Sequence, residues 1–125
     1  MILPISGFQT KLELNKNIYN IFTYKRLILK PCEKQIVQLP LSVINPDRKY
    51  IYFELDKKLC LNGLQVLWTN LNEEDSLNGV ELLIYNGNLD YELLCRAQNP
   101  LSQIIGSNNK LDLITETLLG KVFFN

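Results

Sequence analysis

Histidine is absent from this sequence of 125 residues. Histidine is the commonest general base and the commonest metal ligand in proteins, so its absence excludes Ser-His-Asp and Cys-His nucleophile systems within the chain. The same absence excludes His-Glu-x-x-His zinc sites and Cys₂His₂ zinc fingers. We therefore predict a protein that is not an enzyme, with no catalytic residue, no metal site and no cofactor.

Cysteine is scarce and irregularly spaced. Cys32, Cys60 and Cys95 lie far apart in the sequence and form no Cys-x-x-Cys pair, so the spacing does not indicate a zinc site. Each cysteine lies beside apolar residues, which predicts buried and reduced thiols. Reduced thiols fit a reducing cytoplasm better than an oxidising compartment.

Net charge and long apolar runs are also missing. The 13 Lys and Arg residues balance the 13 Asp and Glu residues, so the chain has no overall electrostatic attraction for nucleic acid or an anionic membrane. No apolar run approaches the roughly 20 residues that cross a bilayer, and the first residues lack the features of a signal peptide. We predict synthesis in the cytoplasm and no nucleic-acid or membrane partner, with single-strand binding by an OB-like barrel as a weaker alternative.

Asn-Gly dipeptides punctuate the centre of the sequence. There are three of them, Asn62-Gly63, Asn78-Gly79 and Asn86-Gly87. Asn-Gly between apolar runs is typical of a type I′ hairpin turn, because both central residues of that turn need positive φ. The pattern predicts a hairpin of residues 59–61 with 64–69, and a second hairpin of residues 80–85 with 89–97.

Further short runs with alternating apolar residues predict additional strands. They span residues 8–14, 18–30, 33–39, 41–44, 49–55 and 122–124. The run 18–30 has apolar residues at both odd and even positions, so as a strand it is either covered on both faces or changes sheets midway. A helix is the alternative, which the β-branched and aromatic residues of the run disfavour. The segment 111–119 fits a strand or a short helix, and Gly120 is expected to break it. The spacing predicts an all-β antiparallel sandwich or barrel, jelly-roll or immunoglobulin-like, of about 8–10 strands. We expect a single domain over residues 1–125, with residues 1–7 as an N-terminal arm.

An acidic loop has the alternating spacing of a calcium loop. The matching residues are Asn70, Asn72, Glu74, Ser76, Asn78 and Glu81. Asp75 stands where an EF-hand has glycine, and no helices are predicted on either side. A solvated hairpin loop is therefore the alternative to a calcium site.

Four carboxylates offer a second candidate pattern, that of a glycosidase. They are Glu54, Asp56, Asp90 and Glu92. Glycoside hydrolysis needs two carboxyl groups facing each other across a cleft. Outward strand positions and turns carry charge in any protein, so solvated surface acids are the alternative.

Aromatic residues and apolar termini point to contacts with other proteins. Tyr and Trp are enriched at interfaces, and Tyr50 and Tyr52 share one strand face. The predicted interface consists of Ile2, Leu3, Tyr50, Tyr52, Trp68, Tyr85, Tyr91, Phe123 and Phe124. The alternatives are a packed second face of the sheet and an aromatic platform for a carbohydrate.

Two segments carry a resemblance to a known family. Residues 30–41, Lys-Pro-Cys-Glu-Lys-Gln-Ile-Val-Gln-Leu-Pro-Leu, look like the early strand of the trimeric dUTPases, where a Pro-Gly-Glu turn precedes an apolar strand. Residues 78–86, Asn-Gly-Val-Glu-Leu-Leu-Ile-Tyr-Asn, are similar to a later strand of that fold. The family's Arg-Ser-Gly motif, Gly-Asp-Arg-Ile-Ala-Gln segment and glycine-rich phosphate loop do not occur. The resemblance implies a related β topology without the enzyme.

A second resemblance concerns the chain as a whole. A neutral, histidine-free, all-β chain with apolar ends resembles the small auxiliary or decoration proteins of tailed-phage capsids. That resemblance implies a non-enzymatic structural module of the virion, which binds capsid subunits or copies of itself as a homo-oligomer. This is the leading prediction. The alternatives are a β-sandwich that binds carbohydrate or another small ligand, and a dUTPase-like nucleotide hydrolase.

Overall fold

A computed structural model describes residues 1–72, 79–89 and 109–125. Within these ranges the chain forms eleven strands and one short helix, and every strand pair is antiparallel. The elements are β1 (Ile2–Pro4), β2 (Leu12–Asn15), β3 (Ile18–Phe22), β4 (Leu27–Leu29), β5 (Lys34–Leu39), β6 (Leu41–Val43), β7 (Ile51–Leu55), α1 (Lys57–Leu61), β8 (Leu64–Thr69), β9 (Val80–Asn86), β10 (Leu111–Leu113) and β11 (Leu118–Phe124). The prediction of an all-β antiparallel fold is confirmed.

The strands form two larger sheets and two ribbons. One sheet has the order β2-β3-β11-β7 and the other the order β5-β9-β8, while β1 pairs with β6 and β4 with β10. Burial alternates along β9, as expected for a strand with one face in the core. The core draws side chains from both sheets and both ribbons, including Ile2, Leu29, Leu41, Ile84 and Leu119. The first seven residues contain β1, which is hydrogen-bonded to β6.

The apolar run 18–30 changes sheets midway, which was one of its two predicted arrangements. β3 pairs with β2 and β11, whereas β4 pairs with β10. Thr23 lies buried between them. Its hydroxyl donates to the Ile114 carbonyl at 2.7 Å and accepts from the Thr117 N–H at 2.9 Å. The run has apolar residues at both odd and even positions because its first half, β3, belongs to the four-stranded sheet and its second half, β4, belongs to the ribbon with β10.

Asn62-Gly63 ends a helix, so the hairpin predicted at this pair is wrong. Residues 57–61 form α1 instead of a strand, with Leu59 as the buried side chain of the helix. The Asn62 side-chain amide donates to the Lys58 carbonyl at 2.7 Å, and Gly63 has φ of 96°. A left-handed glycine after the last helical turn is a common helix terminus. The second predicted hairpin has β9 as its first strand, but most of residues 89–97 lies outside the described ranges, as does Asn78.

Gly120 does not break a strand, contrary to the prediction. It lies inside β11, the strand between β3 and β7. A Cβ atom at Gly120 would collide with the Glu54 carbonyl and would lie 2.7 Å from the Phe53 ring. Glycine is needed here because the neighbouring strand β7 approaches β11 too closely to leave room for a side chain. The ambiguous segment 111–119 contains β10 and the beginning of β11.

The described ranges contain no helix that is long and apolar enough to cross a membrane. The predicted localisation itself stays a prediction.

Candidate functional site

An aromatic cleft of about 410 Å³ separates the outer edges of the two larger sheets. We define it by its lining residues, which are Tyr50, Ile51, Tyr52, Phe53, Leu55, Val66, Leu67, Trp68 and Thr69. The Tyr52 ring stacks on the Phe123 ring at 4.7 Å between centroids and on the Tyr50 ring at 5.9 Å. No lining side chain carries a charge, so the cleft suits an apolar or neutral occupant.

A β-bulge gives the cleft one of its walls. The pairing of β8 with β9 slips between Val66 and Trp68. In a regular strand neighbouring side chains point to opposite faces, and a bulge alters that alternation. Leu67 and Trp68 are adjacent in sequence, yet each is 48% exposed. The bulge therefore presents two large apolar side chains to solvent at the same place.

The predicted interface residues fall in several places. Four lie in or against the aromatic cleft, namely Tyr50, Tyr52, Trp68 and Phe123. Ile2 is only 1% exposed and belongs to the core, while Leu3 beside it is exposed. Tyr85 lies on β9 beside Cys32, and the Phe124 ring packs against Tyr19. Tyr91 lies outside the described ranges. The contact role of this set stays a prediction.

The prediction of buried cysteines is wrong for Cys32 and Cys60. Both are free and exposed, because Cys32 lies in the turn between β4 and β5 and Cys60 lies near the end of α1. The side-chain hydrogen bond with Cys32, and then the electrostatic interaction with the same residue, raise the pKa of Tyr85. Cys95 lies outside the described ranges.

A buried asparagine network joins the ends of several elements. The Asn86 side chain is fully buried, and its amide donates to the carbonyls of Leu29 and Asn109 at 3.1 and 2.9 Å. Its oxygen accepts from the backbone and side-chain N–H groups of Asn88 at 3.0 and 2.8 Å. Asn88 also donates to the Asn62 carbonyl at 2.7 Å. Asn86 and Asn62 belong to the Asn-Gly pairs of the sequence, and Asn88 connects them, so that the end of β9 is linked to the end of α1. Every hydrogen-bonding position of the Asn86 side-chain amide is used.

Asn70 closes the acidic loop rather than lying open as a metal ligand. Its side-chain nitrogen donates to the Gly79 carbonyl at 3.1 Å, and its oxygen accepts from the Glu81 N–H at 2.6 Å. Residues 73–78 of the proposed calcium loop lie outside the described ranges. Among the residues that the structure does describe, no three acidic or cysteine side chains converge on a metal site. The calcium site stays an untested prediction.

Asp56 lies at the junction of β7 and α1. It is half-buried and occupies the N-cap position of α1, yet its side chain makes no capping hydrogen bond. Its backbone N–H donates a hydrogen bond to the Leu119 carbonyl at 2.8 Å. Lys57 and Lys58 follow directly and are exposed. The junction of β7 and α1 therefore offers a carboxylate that is not engaged in capping, next to two ammonium groups.

Of the four carboxylates considered for a glycosidase, the structure describes Glu54 and Asp56. Glu54 is exposed two residues before Asp56 on the same strand segment. Asp90 and Glu92 lie outside the described ranges. No facing carboxylate pair is therefore established in the part of the chain that the structure covers.

Comparisons with known proteins place this fold among the dUTPases. The dUTPase of phage phi11 of S. aureus is 14% identical, with 98% of this chain and 86% of that chain covered at a TM-score of 0.71. The Staphylococcus bacteriophage 80alpha dUTPase is 12% identical, with the same coverages and a TM-score of 0.69. The EIAV dUTPase is 10% identical, also with coverages of 98% and 86%, at a TM-score of 0.65. No family model matches the chain, and no curated protein matches its sequence. At these identities the likeness shows the fold, which is the trimeric dUTPase β fold.

The prediction of a non-enzymatic virion module is wrong. The three structural neighbours named above are dUTPases, which are enzymes, and none of the three is a capsid decoration protein. Of the predicted alternatives, the dUTPase-like one is the one whose fold these neighbours share. The error has a chemical cause. Missing histidine excludes histidine-based catalysis only, whereas a carboxylate can also activate water.

Proposed function

We propose that this protein binds and hydrolyses a deoxynucleoside triphosphate, with dUTP as the first candidate substrate, and that it works as a homo-oligomer. One observation carries the proposal. The dUTPase fold accounts for 98% of this chain and 86% of the neighbour from phage phi11. The match thus extends over the whole β domain and is not confined to one shared motif.

The chemistry assigned to the site follows from the side chains that the chain offers. In hydrolysis of the triphosphate, the water oxygen bonds to a phosphorus atom, the phosphoanhydride bond to the bridging oxygen breaks, and phosphate or pyrophosphate leaves with that oxygen. The step needs a group that takes a proton from the attacking water, and without histidine a carboxylate is the best available base. Asp56 is half-buried and is not used as a helix cap. We assign it the role of orienting and deprotonating water. Lys57 and Lys58 are placed to offset the charge of the phosphates.

Magnesium enters this proposal only with the substrate. The phage phi11 dUTPase coordinates a structural Mg(II) ion. The described part of this chain holds no cluster of three acidic or cysteine side chains that would fit a resident ion. Magnesium usually binds through one or two carboxylates together with substrate phosphates. We therefore assign no step to a protein-held metal.

The experiment is a product assay on the full chain with dUTP and MgCl₂, in which ³¹P NMR follows the phosphates and dTTP, dCTP and UTP serve as competitors. Asp56→Asn keeps the shape of the side chain and removes its basicity, so we expect kcat to fall by about 100-fold. Glu13→Gln is the matched control, since Glu13 is exposed on β2, and its activity should equal that of the wild type.

Two results would contradict the proposal. The first is a wild-type protein that neither hydrolyses dUTP nor shows dUTP binding by calorimetry. The second is an Asp56→Asn variant with wild-type kcat, which would reject Asp56 as the base even if hydrolysis occurs.

A further inference from the structure

The outer edge of β5 carries backbone groups that no described strand pairs, and the hydrogen bonds of β9 identify them. β5 lies at the edge of its sheet, and among the described strands it pairs with β9 alone. The Asn86 N–H donates to the Glu33 carbonyl at 3.0 Å, so the even-numbered residues of β9 bond to β5. The register places those residues opposite the odd-numbered residues of β5. The N–H and C=O groups of Lys34, Ile36 and Gln38 therefore point outward.

The N-terminal strand reaches one end of this edge and then leaves it. The Ile5 N–H donates to the Pro40 carbonyl at 2.9 Å, which extends the β1–β6 ladder to the end of β5. The chain then turns, since Gly7 has φ of 91° and the Phe8 N–H donates to the Ile5 carbonyl at 3.2 Å. Beyond that turn, no described residue bonds to the outward backbone groups of β5. The protein thus adds a strand in line with this edge but leaves most of the edge open.

A groove of about 360 Å³ runs beside the open edge, and we call it the β5 groove. Its floor is formed by the buried side chains of Leu27, Val37 and Leu39. The Phe8 and Tyr24 rings line it as an edge-to-face pair, with 6.0 Å between their centroids. The volume lies within the roughly 300–1,000 Å³ of typical ligand sites. The β5 groove thus combines an apolar floor with a row of backbone donors and acceptors.

The charges around the β5 groove are positive. Its lining includes Lys25 and Arg26 but no carboxylate. Arg26 is paired with Asp112 at 2.6 Å, whereas Lys25 is exposed and makes no ion pair with a described residue. Lys34 is exposed at the other end of the same edge. This arrangement favours an occupant with acidic side chains, because complementary charge steers and selects partners.

We propose that the β5 groove binds an extended peptide segment of a partner protein, with alternating apolar and acidic residues, as a strand antiparallel to β5. The segment would lie in line with β1 and bond to about 13 Å of edge, from Lys34 to Gln38. Its apolar side chains would cover the Phe8–Tyr24 pair, and an acidic side chain would lie near Lys25. Strand addition takes its affinity from backbone hydrogen bonds and its specificity from the side-chain pockets.

The unpaired edge favours a peptide over a small anion. An anion could neutralise Lys25, but it would leave the outward groups of β5 without partners. An extended peptide has N–H and C=O groups at the spacing that an edge strand requires. The lining of the β5 groove contains none of residues 56–58, so this binding is independent of the proposed hydrolysis.

The test is an NMR titration of the full chain with the capped peptide Val-Glu-Ile-Asp-Val-Thr. We expect saturable binding with a Kd between about 10 μM and 1 mM. Amide hydrogen exchange gives the position of the contact. The N–H groups of Lys34, Ile36 and Gln38 should exchange rapidly in the free chain and slowly in the complex. The Val37 N–H, which faces β9, should be slow in both.

Two peptide analogues separate strand addition from general attraction. Replacing both acidic residues of the peptide by Lys should raise the Kd at least tenfold, because Lys25 would then repel the peptide. N-methylation of the Ile and Asp residues keeps the side chains and modifies one N–H on each side of the strand. Whichever side faces β5, a donor is lost, so the Kd should also rise at least tenfold.

A matched pair of protein variants tests the assigned charge. Lys25→Glu should raise the Kd of the acidic peptide at least tenfold. Lys16→Glu makes the same charge change at an exposed turn outside the β5 groove, so its Kd should equal that of the wild type. The proposal is overturned by a lack of saturable binding up to 1 mM, by outward amides that are already slow in the free chain, by equal Kd values for the two variants, or by an N-methylated peptide that binds as well as the parent. The dUTP assay does not depend on these outcomes, so the two proposals fail separately.

Discussion

Replacing Asn86 tests the asparagine network that ties β9 to the rest of the fold. We choose Asn86→Leu because leucine has nearly the same size and removes all four side-chain hydrogen bonds, two to carbonyls and two from Asn88. The side chain is 0% exposed, so water cannot replace the lost partners. Two carbonyl groups, those of Leu29 and Asn109, lose a donor.

The size of the effect follows from these bonds. Each buried hydrogen bond contributes about 1 kcal/mol net, and a polar group left unsatisfied costs about 1–3 kcal/mol. The apolar surface gained by leucine offsets part of this loss. We expect Asn86→Leu to lower the free energy of unfolding by about 3–5 kcal/mol, which is a large share of the roughly 5–15 kcal/mol that stabilises a typical domain.

A companion variant, Asn86→Asp, adds a pH signature. The carboxylate would face two carbonyl oxygens in a buried site, so its pKa in the folded state would be raised above the unfolded value of about 3.9. A raised carboxyl pKa means that the destabilisation grows as the pH rises above the unfolded value and shrinks as the pH falls towards it. Protonated Asp can again donate one hydrogen bond, which Leu cannot.

The assay is urea unfolding followed by circular dichroism, at neutral pH and at about pH 4. Asn15→Ala is the control, because Asn15 is exposed on β2, and it should change the free energy of unfolding by less than about 0.5 kcal/mol. A loss below about 1 kcal/mol for Asn86→Leu would refute the reasoning. An Asn86→Asp variant whose deficit does not change with pH would refute the electrostatic part.

Two further predictions concern the close approach of β7 to Gly120 in β11 and the surface ion pair of Arg26 with Asp112. Gly120→Ala should lower the free energy of unfolding by about 2 kcal/mol or more, because its Cβ would lie 2.7 Å from the Phe53 ring; a denaturation curve like that of the wild type would show that β7 and β11 are not so close. Arg26 donates to both Asp112 oxygens at 2.8 and 2.6 Å, which lowers the pKa of Asp112 and raises that of Arg26. The pair's stabilisation is present above the unfolded pKa of Asp and is lost as the pH falls through the lowered folded pKa. The melting temperature of Arg26→Gln should therefore lie slightly below that of the wild type at neutral pH and converge with it in acid, and a gap that stays constant would contradict this account.

Local pattern alone was enough to predict much of the fold. The alternation in β7 and the apolar run of β9 predicted strands, because one face of each must be buried. Asn45 also makes local bonds of the kind that turn residues form, since its side chain donates to the Lys49 carbonyl and accepts from the Lys49 N–H four residues on. These features depend on contacts between residues that are close in sequence.

The candidate site was less predictable from the sequence. Tyr50, Tyr52 and Trp68 were picked out for their aromatic character, but the cleft that joins them exists only because β7 and β8 lie at facing sheet edges. Asp56 was noted as a carboxylate, whereas its unused cap position is visible only once residues 57–61 form a helix. Sequence motifs also failed to decide the class of protein, because the fold is shared with dUTPases at 14% identity or less.

The sequence by itself determined most of the described strands, the absence of histidine chemistry and the positions of the aromatic residues in the chain. Only the tertiary structure decided that Asn62 ends a helix, that Asn86 is buried and hydrogen-bonded to Leu29 and Asn109, and that Gly120 lies in close contact with β7. The physical reason is the range of the interactions. Strand alternation is set by neighbours along the chain, whereas the roles of Asn86 and Gly120 depend on groups such as Asn109 and Glu54 that lie far away in the sequence. Asn62 combines both ranges, because its side chain bonds to Lys58 four residues back and its carbonyl accepts from Asn88.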